Sequence, residues 1–131
     1  MNFQILQKST LVISALVALG VGGAILAVPD AFFGSNGITL GPNVNLRNEI
    51  RAPGGALVGT GLMMLIGALF ARMANTGLLI AATIFLGYGT ARLLSMVVDG
   101  LPESGLVAAT GLELAIGLLN LAVYMRAHRS L

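Results

Sequence analysis

Residues 10–28 read TLVISALVALGVGGAILAV, nineteen residues without a charged side chain. At 1.5 Å per residue a helix of this length spans about the 30 Å hydrocarbon layer of a bilayer. The run is longer than the roughly 7–15 apolar residues of a cleaved signal, and no small-x-small cleavage site follows it. It therefore reads as a retained span, preceded by Lys8 and stopped by Pro29-Asp30.

Working outward, three further stretches are long and apolar enough: residues 54–70, 77–98 and 105–124. The third span contains Arg92 and the fourth Glu113. The expectation is an all-α integral membrane protein, a single four-transmembrane-helix bundle over residues 1–131. The linkers carry helix-end signals. Residues 72–77 make a short link, Asp99-Gly100 supplies a C-cap glycine, and Pro102-Glu103 suits the first turn of the last helix. Residues 29–53 stand out as one long loop, with Phe32-Phe33 expected in the membrane interface and Gly and Asn marking turns. Leu46 and Ile50 leave open an earlier start to the second helix, in which Pro53 would deprive the Glu49 carbonyl of its helical partner.

Composition excludes many functions. Of 131 residues 56% are hydrophobic and 9% charged, against about 25% charged in soluble domains. There is no Cys, which removes disulfides, thiol redox chemistry and Cys-ligated metal sites, and the one His leaves no His-rich metal site. No metal and no cofactor are expected. Lys8, Arg72, Arg126 and Arg129 fall on one side of the membrane without an acid, and Asp30, Arg47, Glu49, Arg51, Asp99 and Glu103 on the other. The positive-inside rule then places both termini in the cytoplasm and the chain in the inner (plasma) membrane. Bases this few and scattered do not make a nucleic-acid surface.

The second and fourth spans share a pattern at an offset of 50 residues, Thr60-Gly61-Leu62 and Ile66-Gly67 against Thr110-Gly111-Leu112 and Ile116-Gly117. The first and third share a weaker one at 67, Leu19-Gly20-Val21-Gly22 against Leu86-Gly87-Tyr88-Gly89. These matches suggest two parallel helical hairpins. The alternative, that Gly- and Leu-rich spans align by chance, stays open. In this alignment Glu113 corresponds to Met63 and Arg92 to Ile25. Small residues at Gly20, Gly55, Gly59, Gly87, Gly111 and Gly117 are expected to let helices approach closely.

A charge at mid-membrane costs about 2.5–3.5 kcal/mol even on the lenient insertion scale, so it needs a partner or a wet cavity. Arg92, seven residues before Asp99, and Glu113, eight after Gly105, lie at similar depth on sequential antiparallel helices. Tyr88, Arg92, Ser95 and Asp99 share one helical face, as do Thr110, Glu113, Gly117 and Asn120. Both faces are expected inward, with Arg92 paired to Glu113. Such a pair either fixes helix register or forms a polar pocket for an anionic head group or carboxylate. Glu49 and Arg51 either end a solvated helix or fold over that pocket.

The stretch Asn48-Glu49-Ile50-Arg51-Ala52, followed by Gly54-Gly55, resembles the signature of a family of small bacterial four-pass membrane proteins catalogued as a domain of unknown function. The Arg late in the third span, the acidic turn Asp99-Gly100 and the Glu in the fourth agree with that resemblance. It implies the four-helix fold and topology, and no reaction. Functionally the sequence favours a non-catalytic accessory or interaction subunit, packed in the lipid bilayer against a larger membrane protein or a second copy of itself. A lipid or small-molecule binding or transport protein using Arg92 and Glu113 comes next. An enzyme using Glu113, Tyr88 and Glu49 as acid–base groups comes last, since no nucleophile–base pair or phosphate-binding loop is found.

Overall fold

The computed structural model describes residues 2–129 and is all-helical among them. Its elements are α1 (Phe3–Ala27), α2 (Pro29–Gly34), α3 (Val44–Leu69), a 3-10 turn (Ala71–Met73), α4 (Ala74–Asp99) and α5 (Ser104–Arg129). Four of these helices are long and apolar enough to cross a membrane, and they pack as a bundle. The side chain of Asn2 caps α1 by accepting from the Gln4 amide, and Asn43 caps α3 by accepting from Leu46. Gly100, at φ 99°, ends α4 in a conformation only glycine adopts readily.

The helices outrun the apolar stretches that reveal them. The largest departure is at 29–53, which is mostly helical: α2 follows α1 directly, α3 begins at Val44, and only residues 35–43 are turns. Hydropathy finds the part of a helix that suits hydrocarbon, while the charged first turns of α3 continue the same helix beyond it. Pro53 lies inside α3, so the Glu49 carbonyl has no helical N–H to accept. At the other end, α5 starts at Ser104, leaving Pro102 and Glu103 in the turn.

Helices α1 and α3 pack together, α4 and α5 pack together, and α3 meets α4. The start of α1 and the end of α5 lie at one end of the bundle, where the Arg126 guanidinium sits 5.5 Å from the Phe3 ring centre and Gln7 Nε2 donates to Asn75 Oδ1 at 3.1 Å. Residues 29–43, hereafter the strap, lie at the opposite end.

The glycines that permit this packing are mostly not the expected ones. A Cβ on Gly20, Gly55, Gly59, Gly87 or Gly111 would meet nothing within 4 Å. Of the expected set only Gly117 is a contact point, pressed against the Leu86 side chain and backbone. The close approaches fall at Gly22, Gly54, Gly61, Gly67, Gly77 and Gly89 instead. Small-residue spacing identifies a face that lacks bulk but not its direction. Moving two residues, as from Gly20 to Gly22, rotates about 200° around a helix of 3.6 residues per turn.

The two helix pairs pack in one register. Leu19 covers Gly61 between α1 and α3, and Leu86 covers Gly117 between α4 and α5; here 86 − 19 = 67 and 117 − 61 = 56. Gly22 lies against the Val58 amide and Gly89 against the Leu114 amide, and the shifts are again 89 − 22 = 67 and 114 − 58 = 56. Burial follows. Thr10, Leu11, Ser14, Ala15, Ala18 and Gly22 shift to Gly77, Leu78, Ala81, Ala82, Phe85 and Gly89, all buried. Gly54, Gly61, Met64 and Gly67 shift to Thr110, Gly117, Asn120 and Val123, all buried. The 50-residue match is thus not the packing equivalence, since it would set buried Gly61 against open Gly111. Glu113 corresponds in packing to Leu57, not Met63, and Arg92 corresponds to Ile25.

Asn120 is fully buried between α5 and α1. Its Nδ2 donates to Ser14 Oγ at 2.7 Å and to the Ile116 carbonyl at 2.8 Å, while Ser14 Oγ donates to the Thr10 carbonyl at 2.8 Å. Its Oδ1 has no partner among the described residues. An interhelical hydrogen bond in a membrane protein averages about 0.6 kcal/mol, whereas a buried unsatisfied polar atom costs about 1–3 kcal/mol. Asn120→Met, which installs the residue found at equivalent position 64, is therefore expected to stabilise the protein by on the order of 1 kcal/mol. Thermal unfolding in detergent checks this, and a lower midpoint than wild type would refute it.

Candidate functional site: the Arg92–Glu113 cavity

The helix faces that meet at the strap end bring Arg92 of α4 onto Glu113 of α5. Arg92 Nε donates to Glu113 Oε2 at 3.0 Å and to Oε1 at 3.2 Å. The Glu113 side chain is 15% exposed and that of Arg92 34%. The pair forms where the packing register carries apolar Ile25 and Leu57 in the other helix pair. Arg92 engages Glu113 through Nε alone, so the two terminal amino groups, Nη1 and Nη2, make no hydrogen bond among the described residues.

Beside the pair lies a cavity of about 510 Å³, within the roughly 300–1,000 Å³ range of small-molecule sites. All four long helices line it, and most of its wall is apolar. The strap adds Phe32, Phe33, Asn36 and Ile38. The two phenyl rings meet edge to face, 5.3 Å apart at 86°, and are half-buried against the bundle. They line the cavity as well as packing on the core. Gly105 makes room for the strap, since a Cβ there would lie 2.5 Å from Asn36 Oδ1.

The expected site residues divide. Tyr88 lines the cavity with Arg92 and Glu113, and so does Glu49. Ser95 is exposed and donates to Asp99 Oδ2 at 3.0 Å, one turn beyond the cavity. Asn120 lies two turns deeper and joins α5 to α1. Asn48 and Arg51 are exposed and outside the lining. A straight stripe such as Thr110–Asn120 drifts around a real helix and passes several environments. The lining stripe on α5 starts earlier, at Leu106 and Ala109.

An ion pair that spacing did not reveal holds the strap. Arg47 Nη1 donates to Asp30 Oδ2 at 2.9 Å and Nη2 to Oδ1 at 2.7 Å, while Nε and Nη2 also donate to the Gly41 carbonyl at 3.0 and 2.8 Å. Opposite charges at the two ends of the loop were the available signal. Hydrogen bonding from Arg47 holds the Asp30 carboxyl below its ordinary value of 3.8. With the folded value lowered, the latch is fully present above 3.8 and is lost as pH falls through the lowered value. Amide exchange in residues 29–43, corrected for its intrinsic pH dependence, is expected to accelerate only below that point. In Arg47→Gln it is expected to be fast at every pH.

A family model described as a domain of unknown function, DUF4345, matches residues 6–124. The chain belongs to the DUF4345 family. No curated protein and no solved structure matches it. The matched segment of this DUF4345 protein takes in the ion pair, the strap and every residue lining the cavity. Its Asn48–Gly55 signature forms part of α3: Glu49 and Ile50 line the cavity, while Gly54 lies against Ile25, where a Cβ would come 2.7 Å from Cγ2.

Proposed function

We propose that this DUF4345 protein binds, without catalysis, a small amphiphile bearing an anionic head group, received in the cavity beside Arg92 and Glu113. One observation carries the reading: Arg92 is neutralised through Nε, yet neither of its amino groups has a hydrogen-bond partner among the described residues, at the edge of a mostly apolar cavity. A guanidinium fork fits the two oxygens of a carboxylate or phosphate. The surrounding wall suits alkyl groups. The basic residues Lys8, Arg72, Arg126 and Arg129 support a cytoplasmic location for the end where α1 begins and α5 finishes. On that orientation the cavity opens toward the extracytoplasmic leaflet of the plasma membrane.

Gentle purification followed by native mass spectrometry tests this, with Arg92→Gln as comparator. A charge-assisted hydrogen bond is worth about 1.5–3 kcal/mol, or roughly 10- to 100-fold in affinity. Wild type is expected to retain one acidic amphiphile that Arg92→Gln loses by at least about tenfold. Equal retention by both proteins would sink the proposal.

A second reading, an accessory subunit of a larger membrane assembly, is supported by a different observation. Gly20, Gly55, Gly59, Gly87 and Gly111 have open space where a side chain would be. Such surfaces suit close packing of another transmembrane helix, from a partner or a second copy. Co-purification with one stoichiometric partner, lost on Gly→Leu substitution at these positions, would favour it.

A further inference from the structure

The cavity wall is built twice. Ala18, Val21 and Ile25 line it from α1, and Phe85, Tyr88 and Arg92, 67 residues on, line it from α4. Ile50, Pro53 and Leu57 line it from α3, and Leu106, Ala109 and Glu113, 56 residues on, line it from α5. Both offsets were fixed by glycine contacts, independently of the cavity lining. Two half-sites therefore face one space, in the arrangement a twofold axis along the bundle would generate.

The half-sites have the same register but different chemistry. At the depth of the ion pair the first offers Val21, Ile25 and Leu57, its charged lining residue Glu49 lying two turns nearer the strap, whereas the second offers Tyr88, Arg92 and Glu113. We infer that the chain is two fused copies of one helical hairpin whose half-sites have diverged. The second grips the anionic head of a bound amphiphile, and the first houses its alkyl tail. This rests on the binding role proposed above and adds the ligand's class and orientation: one acidic head and one tail.

Size agrees with that division. At roughly 30 Å³ per water-sized group, 510 Å³ holds about 17 such groups, enough for a head with a single alkyl chain. Charge agrees too. Had both half-sites kept an ion pair, the space would suit a molecule polar at both ends; had both stayed apolar, no head group would be held. Carboxylate and phosphate heads present the same pair of oxygens to Nη1 and Nη2, so the probe must distinguish them.

The test uses the full chain in phosphatidylcholine nanodiscs. The probe is a long-chain fatty acid with a diazirine on its terminal carbon, and a second arm uses an alkyl phosphate with the same tail. Irradiation is expected to give adducts at Val21, Ile25 and Leu57, competed by unlabelled amphiphile and reduced at least tenfold in Arg92→Gln. The arm labelling at lower concentration identifies the head. Saturable, Arg92-dependent adducts at Tyr88 or Leu106 would overturn the division while leaving the binding role standing. If neither arm shows saturable labelling, the binding role itself fails. The swapped variant Ile25→Arg, Leu57→Glu, Arg92→Ile, Glu113→Leu is expected to move the adducts to α4 and α5. Adducts unmoved in that variant would also overturn the division. If it does not fold, the wild-type map decides alone.

Discussion

Gly22→Ala is expected to destabilise the bundle by about 2–3 kcal/mol, while Gly20→Ala, two residues away, leaves it unchanged or slightly more stable. At Gly22 the added Cβ would lie 2.7 Å from the Gly54 carbonyl oxygen, 2.9 Å from Leu57 Cβ and 2.9 Å from the Val58 amide nitrogen. Two of these atoms are backbone of a packed helix and the third is bonded to it, so no rotamer change relieves the contact. The helices must separate, and in lipid, where packing drives association, that forfeits contact along α1 and α3. At Gly20 nothing lies within 4 Å, so only the better helix propensity of alanine, at most about 1 kcal/mol, is felt. Gly89→Ala supplies a graded control. Its nearest contacts, at 2.6 and 2.7 Å, are Leu114 side-chain atoms that can turn aside, with the amide nitrogen at 3.3 Å. It is expected to cost less than Gly22→Ala although the two glycines occupy equivalent places. Unfolding midpoints of the three variants in one detergent check the order, and equal effects at Gly20 and Gly22 would contradict it.

This contrast shows what the sequence could and could not convey. Apolar runs about 20 residues long can cross a bilayer only as helices or a closed barrel, so the four helices were legible from hydropathy alone. The depth of Arg92 and Glu113 was legible too, because helical rise converts position to distance. Which glycine faces a neighbour was not, because in lipid both faces of a helix are apolar and periodicity loses its direction. The N-terminal part of α3 was hidden for the opposite reason. Arg47, Asn48, Glu49 and Arg51 are too polar to register as part of a span, yet they belong to the helix, and Arg47 gives the strap its latch.

The internal repeat was legible in part. The weak match between the first and third spans has the offset that packing uses. The strong match between the second and fourth does not, because Thr-Gly-Leu and Ile-Gly recur on faces with different neighbours. Contacts, unlike letters, carry the register, and in that register the polar pair replaces two buried apolar residues. The charges thus stand at places that the first helix pair fills with packed apolar side chains.

The ion pair should accordingly be dispensable for stability and indispensable for binding. Arg92→Ile alone leaves a carboxylate whose side chain is 15% exposed without its partner; breaking such a pair costs about 3–5 kcal/mol. Glu113→Leu alone is expected to cost less, because the Arg92 side chain is 34% exposed and long enough to reach water at the cavity. The double variant Arg92→Ile/Glu113→Leu copies the residues that the first helix pair carries at these places, Ile25 and Leu57, both of which pack in the core. Replacing a buried pair by apolar residues is commonly neutral or stabilising by about 1–4 kcal/mol, so the double variant is expected at or above wild-type stability. A purely architectural pair predicts the same recovery with ligand retention intact. The binding role predicts recovery of stability together with loss of the acidic amphiphile. Measuring unfolding and retention on the same four proteins separates these outcomes, and a stable double variant that still holds its ligand would leave Arg92 and Glu113 with register alone to explain.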